Sequence, residues 1–97
     1  MSKTIGLIDD SKVMRSILRK SILMNNFKVH EFLEADNGLE GFQLLAGHRD
    51  NLDIAFVDLH MPKLGGVEML KRLRHEGIQS VPIVIVSTPT GISLTVE

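Results

Sequence analysis

The sequence contains no cysteine, which excludes disulfides and thiolate metal sites. It contains no apolar run near the roughly 18 residues that a membrane-spanning helix requires. Its opening, MSKTIGLIDD, has too few apolar residues for a secretory signal. These absences lead to the expectation of a cytoplasmic protein with no membrane partner. There is no excess of either charge: eleven Lys and Arg face twelve Asp and Glu, for a net charge of -1. Nothing global therefore points to nucleic acid or an anionic surface. The four histidines, His30, His48, His60 and His75, share no i, i+4 metal-ligand spacing. Repeats, linkers and low-complexity tracts are also missing. A chain of 97 residues suffices for one domain and not for two.

What is present is an alternation of short apolar runs and amphipathic stretches. Thr4–Ile8 reads as a strand buried on both faces. Ser11 then serves as a helix N-cap, and Val13, Met14, Ile17, Leu18 and Ile22 recur at helical spacing up to Asn25-Asn26. His30–Glu34 mixes Phe32 and Leu33 with charges and reads as an edge strand. Asn37 with Glu40 resembles a capping box, followed by a helix with Leu39, Phe42 and Leu45 on one face that stops near Gly47. Ile54–Asp58 is a third strand. Val67, Leu70 and Leu73 mark a third helix closed by Gly77, and Val81–Val86 is a β-branched fourth strand. The order βαβαβαβ implies a doubly wound α/β fold, a parallel sheet with helices on both faces.

In such sheets ligands bind beyond the carboxyl ends of the strands, where the strand order reverses. Here the first strand ends in Asp9-Asp10, the third in Asp58 and the fourth in Ser87-Thr88. Clustered carboxylates repel one another, and a hard divalent cation such as Mg²⁺ relieves the repulsion. Asp9-Asp10 alone could simply favour the dipole of the helix that follows. Acids closing two strands and a hydroxyl closing a third form a pattern much less easily produced by accident.

The stretches LIDDS, VDLHMP, LGG and PIVIVST resemble the receiver domain of two-component response regulators, of the chemotaxis-regulator type, over about residues 3–88. The resemblance implies a flavodoxin-like sheet and a phosphoacceptor at Asp58. It also implies Mg²⁺ held by Asp9, Asp10, Asp58 and the backbone carbonyl of His60, and a phosphoryl hydrogen bond from Ser87, with Thr88 the weaker candidate. The implied partner is a histidine kinase or phosphotransfer protein, docking near the rim and the first helix, where Met14, Ile17 and Leu18 are either apolar surface or core. The implied role is signalling rather than metabolic catalysis. A family domain continues into another helix, a strand ending in lysine and a final helix. After Lys71 this sequence has no lysine, so the fold is expected to lack that last strand-helix portion.

Residues 1–88 are thus expected to form a shortened receiver, with 89–97 a tail that carries a possible extra strand. In the tail, Ile92, Leu94 and Val96 alternate with Ser93, Thr95 and Glu97. It could fold back antiparallel, pair with another chain or stay loose. A homodimer through the fourth strand and this tail is one expectation. A degenerate receiver that only binds or dimerises, without phosphorylation, is the alternative function. A Mg²⁺-dependent phosphohydrolase that forms an aspartyl phosphate is disfavoured, because such enzymes usually place a second acid where this sequence has His60.

Overall fold

The computed structural model describes residues 2–87 and 93–96, with side chains for residues 2–86. The strands are β1 (Lys3–Ile8), β2 (Val29–Ala35), β3 (Ile54–Asp58), β4 (Ile83–Ser87) and β5 (Ser93–Val96). The helices are α1 (Lys12–Met24), α2 (Gly38–Gly47) and α3 (Gly66–His75). The sheet order is β2-β1-β3-β4-β5. The first four strands are parallel, and β5 runs antiparallel to β4, with Val84 opposite Val96 and Ser87 opposite Ser93. The chain therefore moves outward to one side of β1 for β2 and to the other for β3. This reversal opens a crevice at the carboxyl ends of β1 and β3.

Local chemistry sets the boundaries. The Ser11 hydroxyl accepts the Met14 N–H at 3.1 Å and starts α1. Asn26 ends it at φ 63, a conformation that asparagine tolerates better than most residues. Gly77, at φ 81, closes α3 as expected: its N–H reaches Arg74 O at 3.0 Å, and Ile78 N–H reaches Leu73 O at 2.9 Å. At α2 the Asn37 side chain accepts the Glu40 N–H at 2.9 Å, but the reciprocal half of the capping box is altered. Glu40 Oε2 takes the Asn37 side-chain amide at 2.5 Å rather than the backbone N–H. The fourth strand begins two residues later than expected because Pro82 has no N–H to give the ladder. Its carbonyl still accepts Ala55 N–H at 3.0 Å.

The core lies between the sheet and the α2/α3 layer. Ile8, Ala55, Val57, Ile83 and Ile85 meet Leu45, Met69, Leu73 and Ile78 there. Two helix faces are rotated from the sequence expectation. In α2 the buried residues are Gly38, Gly41 and Leu45, and Leu39 is exposed; in α3 they are Gly66, Met69 and Leu73, and Val67 is exposed. Counting only bulky apolar residues misplaced the stripe, because glycines face inward where backbones approach closely. A Cβ on Gly38 would lie 1.7 Å from Leu64 O, and one on Gly66 would lie 2.3 Å from Asp58 O. The opposite sheet face carries α1, none of whose residues is fully buried: Met14, Leu18 and Ile22 are half-buried, while Val13 and Ile17 are exposed.

The antiparallel β5 settles one of the open routes for the tail. It pairs with β4 from Val84 to Ser87, so along those residues the outer ladder of β4 is taken within the chain.

Candidate functional site

The crevice gathers the expected acids. Asp9 follows β1, Asp10 stands next to it, and Asp58 is the last residue of β3. One carboxylate oxygen from each lies within 4.8 Å of the others. Asp9 and Asp58 are 4% and 7% exposed, while Asp10 is open to solvent.

Each buried acid has a small amount of backbone support. Asp9 Oδ1 accepts the Ser11 N–H at 2.8 Å, so the acid does sit against the start of α1. Asp58 Oδ1 accepts the His60 N–H at 3.4 Å. That support does not balance burial. Desolvation pushes the Asp9 carboxyl from the ordinary 3.8 up to about 6; the Ser11 hydrogen bond opposes the rise, and the charges of Asp58 and Asp10 add to it. Burial also raises Asp58, against the His60 N–H and with the Asp10 charge. Three acids within 4.8 Å, two of them resisting ionisation, have the donor set and the electrostatic need that suit a hard oxygen-seeking cation.

The loop after β3 is held against this cluster. Leu59 N–H bonds Val86 O at 3.0 Å, and Gly66 N–H bonds Leu59 O at 3.0 Å. Gly65 and Gly66 resemble turn-making residues in the sequence, yet neither adopts a positive φ. That conformation falls on Lys63 at φ 70, where Leu64 N–H bonds Pro62 O at 2.8 Å. This is the rarer, strained hand of γ-turn. Lys63→Gly should therefore stabilise the protein by about 0.5–1 kcal/mol, the relief exceeding the added unfolded-state freedom. Thermal unfolding would show a higher melting temperature; a lower one would mean that the lysine side chain contributes more than its backbone strain costs.

The imidazole of His60 is exposed. The Ser87 side chain and Thr88, the two expected hydroxyls, lie outside the described residues. Sequence reasoning missed Arg15, which is 14% exposed at its side chain and pairs with Glu34 at 2.8 Å beside Asp9. The available signal was an arginine in the half-buried stripe of α1, one turn before Arg19.

A parallel doubly wound sheet with an acid cluster at its switch point is the architecture of flavodoxin-like receiver domains. Comparison with known proteins agrees. The chain matches the response regulator receiver domain family over residues 5–97, and it belongs to that family. It is 31% identical over 86 residues to the chemotaxis protein CheY homolog of Campylobacter jejuni subsp. jejuni, covering 88% of this chain and 64% of that protein. Among solved structures it is similar to the receiver domain of the Francisella response regulator 1452, with TM-score 0.75 and 26% identity over 93% of this chain and 69% of that one. Its fold also matches the CheX-CheY-BeF3-Mg²⁺ complex of Borrelia burgdorferi, with TM-score 0.73 and 20% identity over 92% of this chain and 64% of that one. Among the described residues, no helix is long and apolar enough to cross a membrane.

Proposed function

We propose that this chain is a phosphoacceptor module of cytoplasmic two-component signalling, with Asp58 the residue that accepts the phosphoryl group. The observation that carries the reading is the placement of Asp58: a buried carboxylate at the carboxyl end of β3, with its oxygens gathered against those of Asp9 and Asp10. An Asp58 oxygen attacks phosphorus, an O–P bond forms, and the P–N bond to a histidine of a kinase or phosphotransfer protein breaks. The electron pair of that bond stays on the leaving imidazole nitrogen. Asp9, Asp10, Asp58 and the His60 backbone carbonyl would hold Mg²⁺, which when bound supplies positive charge against the anionic phosphoryl group. Ser87 is assigned the hydrogen bond to that group. The donor docks beside the rim on α1, whose Val13 and Ile17 present apolar surface to solvent. The role is signalling: the product is an aspartyl phosphate carried by the protein itself, not a released metabolite.

Intact-mass measurement after incubation with acetyl phosphate tests this reading. One added phosphoryl group is expected with Mg²⁺ and none with EDTA. Labelling that ignores the metal contradicts the assigned cation role.

The sheet offers a second copy two end strands, β2 and β5, and the homodimer expected from the tail uses β5. β5 ends the strand order, and an end strand presents unpaired backbone groups that a second β5 can meet. Sedimentation should then show a concentration-dependent dimer that Leu94→Lys weakens. A monomer at high micromolar concentration would rule that route out.

A further inference from the structure

We propose that Arg15 is the positioning residue of the acid pair: its guanidinium fixes the peptide between Asp9 and Asp10 and thereby holds the Asp10 carboxylate with those of Asp9 and Asp58. The inference rests on the metal-binding reading above and extends it to a residue that touches neither metal nor phosphoryl group.

The geometry is a clamp. Arg15 NH1 donates to Asp9 O at 2.5 Å, and Arg15 Nε donates to Glu34 Oε1 at 2.8 Å. Glu34 is held in turn by Arg19, whose guanidinium also lies 5.8 Å from the centre of the Phe32 ring. The fork of one arginine thus ties three elements together: its own helix α1, the end of β2 and the residue that follows β1. Asp9 is anchored at two further points. Its N–H donates to Ala35 O at 3.1 Å, and its carboxylate accepts Ser11 N–H at 2.8 Å. Its carbonyl is the atom that Arg15 takes. Turning that carbonyl turns the whole Asp9–Asp10 peptide, because the unit is planar. Asp10 lies on the far side of that peptide and is the exposed member of the three acids, so its carboxylate is the one the clamp places.

The clamp and a bare charge effect predict opposite signs. A cation next to a cation site repels the incoming ion, so deleting Arg15 on charge grounds alone should tighten Mg²⁺ binding. A positioning role predicts weaker binding. Loss of residues that orient metal ligands commonly costs 10–100-fold in affinity, and the expectation here is about tenfold. Lysine keeps the charge but not the fork, so it cannot bridge Asp9 O and Glu34 together.

Calorimetric titration of Mg²⁺ into the wild-type chain, Arg15→Met and Arg15→Lys reads the sign. Both variants should bind about tenfold more weakly. Unchanged or tighter binding in Arg15→Met, or full affinity in Arg15→Lys, overturns the proposal. If Arg15→Met does not fold, Glu34→Leu, which leaves Arg15 Nε no acceptor, replaces it: weaker binding is expected, and wild-type affinity overturns the clamp. Absence of Mg²⁺ binding in the wild type would instead refute the metal reading. The clamp is then tested in metal-free protein by nitrogen-proton correlation spectra. Arg15→Met should move the Asp10 amide signal, and an unmoved Asp10 amide overturns the proposal whatever the metal does.

Discussion

Replacing Asp9 by asparagine should make the metal-free protein more stable, although it removes a carboxylate from the centre of the site. Unfolded, the Asp9 carboxyl titrates near 3.8; folded, burial lifts it to about 6. Between those pH values the native state holds a proton that the unfolded chain has released. Stability is therefore full below about 4 and is lost as the pH rises through about 6. A difference of that size corresponds to roughly 3 kcal/mol at neutral pH. Asp9 is 4% exposed, so solvent does little to soften the cost. Asparagine keeps an oxygen to accept the Ser11 N–H and carries no charge. Asp9→Asn should gain about 2 kcal/mol at neutral pH, which for a domain of this size raises the melting temperature by roughly 10 °C. The gain should vanish near pH 4, where wild-type Asp9 is already neutral. Mg²⁺ should reverse the comparison. It would bind only the folded wild type well and add roughly 2.7 kcal/mol at a hundred times its Kd, more than the variant's gain, whereas the variant has lost a ligand. Melting curves in EDTA and in Mg²⁺ across this pH range check both signs. A variant less stable than wild type in EDTA at neutral pH would mean that Asp9 is not under the electrostatic load described. Such opposition between stability and a charged site is common where a protein keeps groups for function rather than for folding.

Asp58→Asn should lose phosphoryl transfer altogether while remaining folded. The substitution keeps size and shape and can still accept the His60 N–H seen at 3.4 Å. Its amide is not a nucleophile, so no O–P bond forms. Neither neighbouring acid is placed to substitute. Asp9 is turned into its own loop by the Ser11 N–H, and Asp10 stands at the solvent side of the cluster. With acetyl phosphate and Mg²⁺, the wild-type chain should gain one phosphoryl group and Asp58→Asn none. Because burial raises the Asp58 carboxyl above its ordinary value, the variant should also melt higher than wild type in EDTA at neutral pH. An equal label on both proteins would remove Asp58 from the chemistry.

Much of this was legible from residue patterns alone. Apolar runs bounded by acids placed β1 and β3, Ser11 and Asn37 marked helix starts, and Gly77 marked a helix end, because each of these signals acts within a few residues. The alternation of strands and helices then put Asp9, Asp10 and Asp58 at one rim without any contact being known. What stayed hidden depends on distant partners. The inward faces of α2 and α3 are set by Gly38 and Gly66, whose value lies in what approaches them: Leu64 O and Asp58 O, respectively. The positive φ at Lys63 looked from the sequence like the business of Gly65-Gly66. Arg15 stood out only as an arginine in the half-buried stripe of α1; its pairing with Glu34, 19 residues away, was not legible in the pattern. The tail could fold back, pair with another chain or stay loose as far as its residue pattern goes; Ser93–Val96 pair antiparallel with β4 through distant backbone groups.

The most direct test of the central claim is to locate the phosphoryl group itself. After labelling with acetyl phosphate and Mg²⁺, borohydride reduces an aspartyl phosphate to homoserine, and peptide sequencing by mass spectrometry then finds the altered residue. The expected result is homoserine at position 58 only, dependent on Mg²⁺ and absent from Asp58→Asn. Homoserine at position 9 or 10, or a labelled protein with position 58 intact, would contradict the assignment of Asp58 as the acceptor and of its two neighbours as the acids that hold the metal.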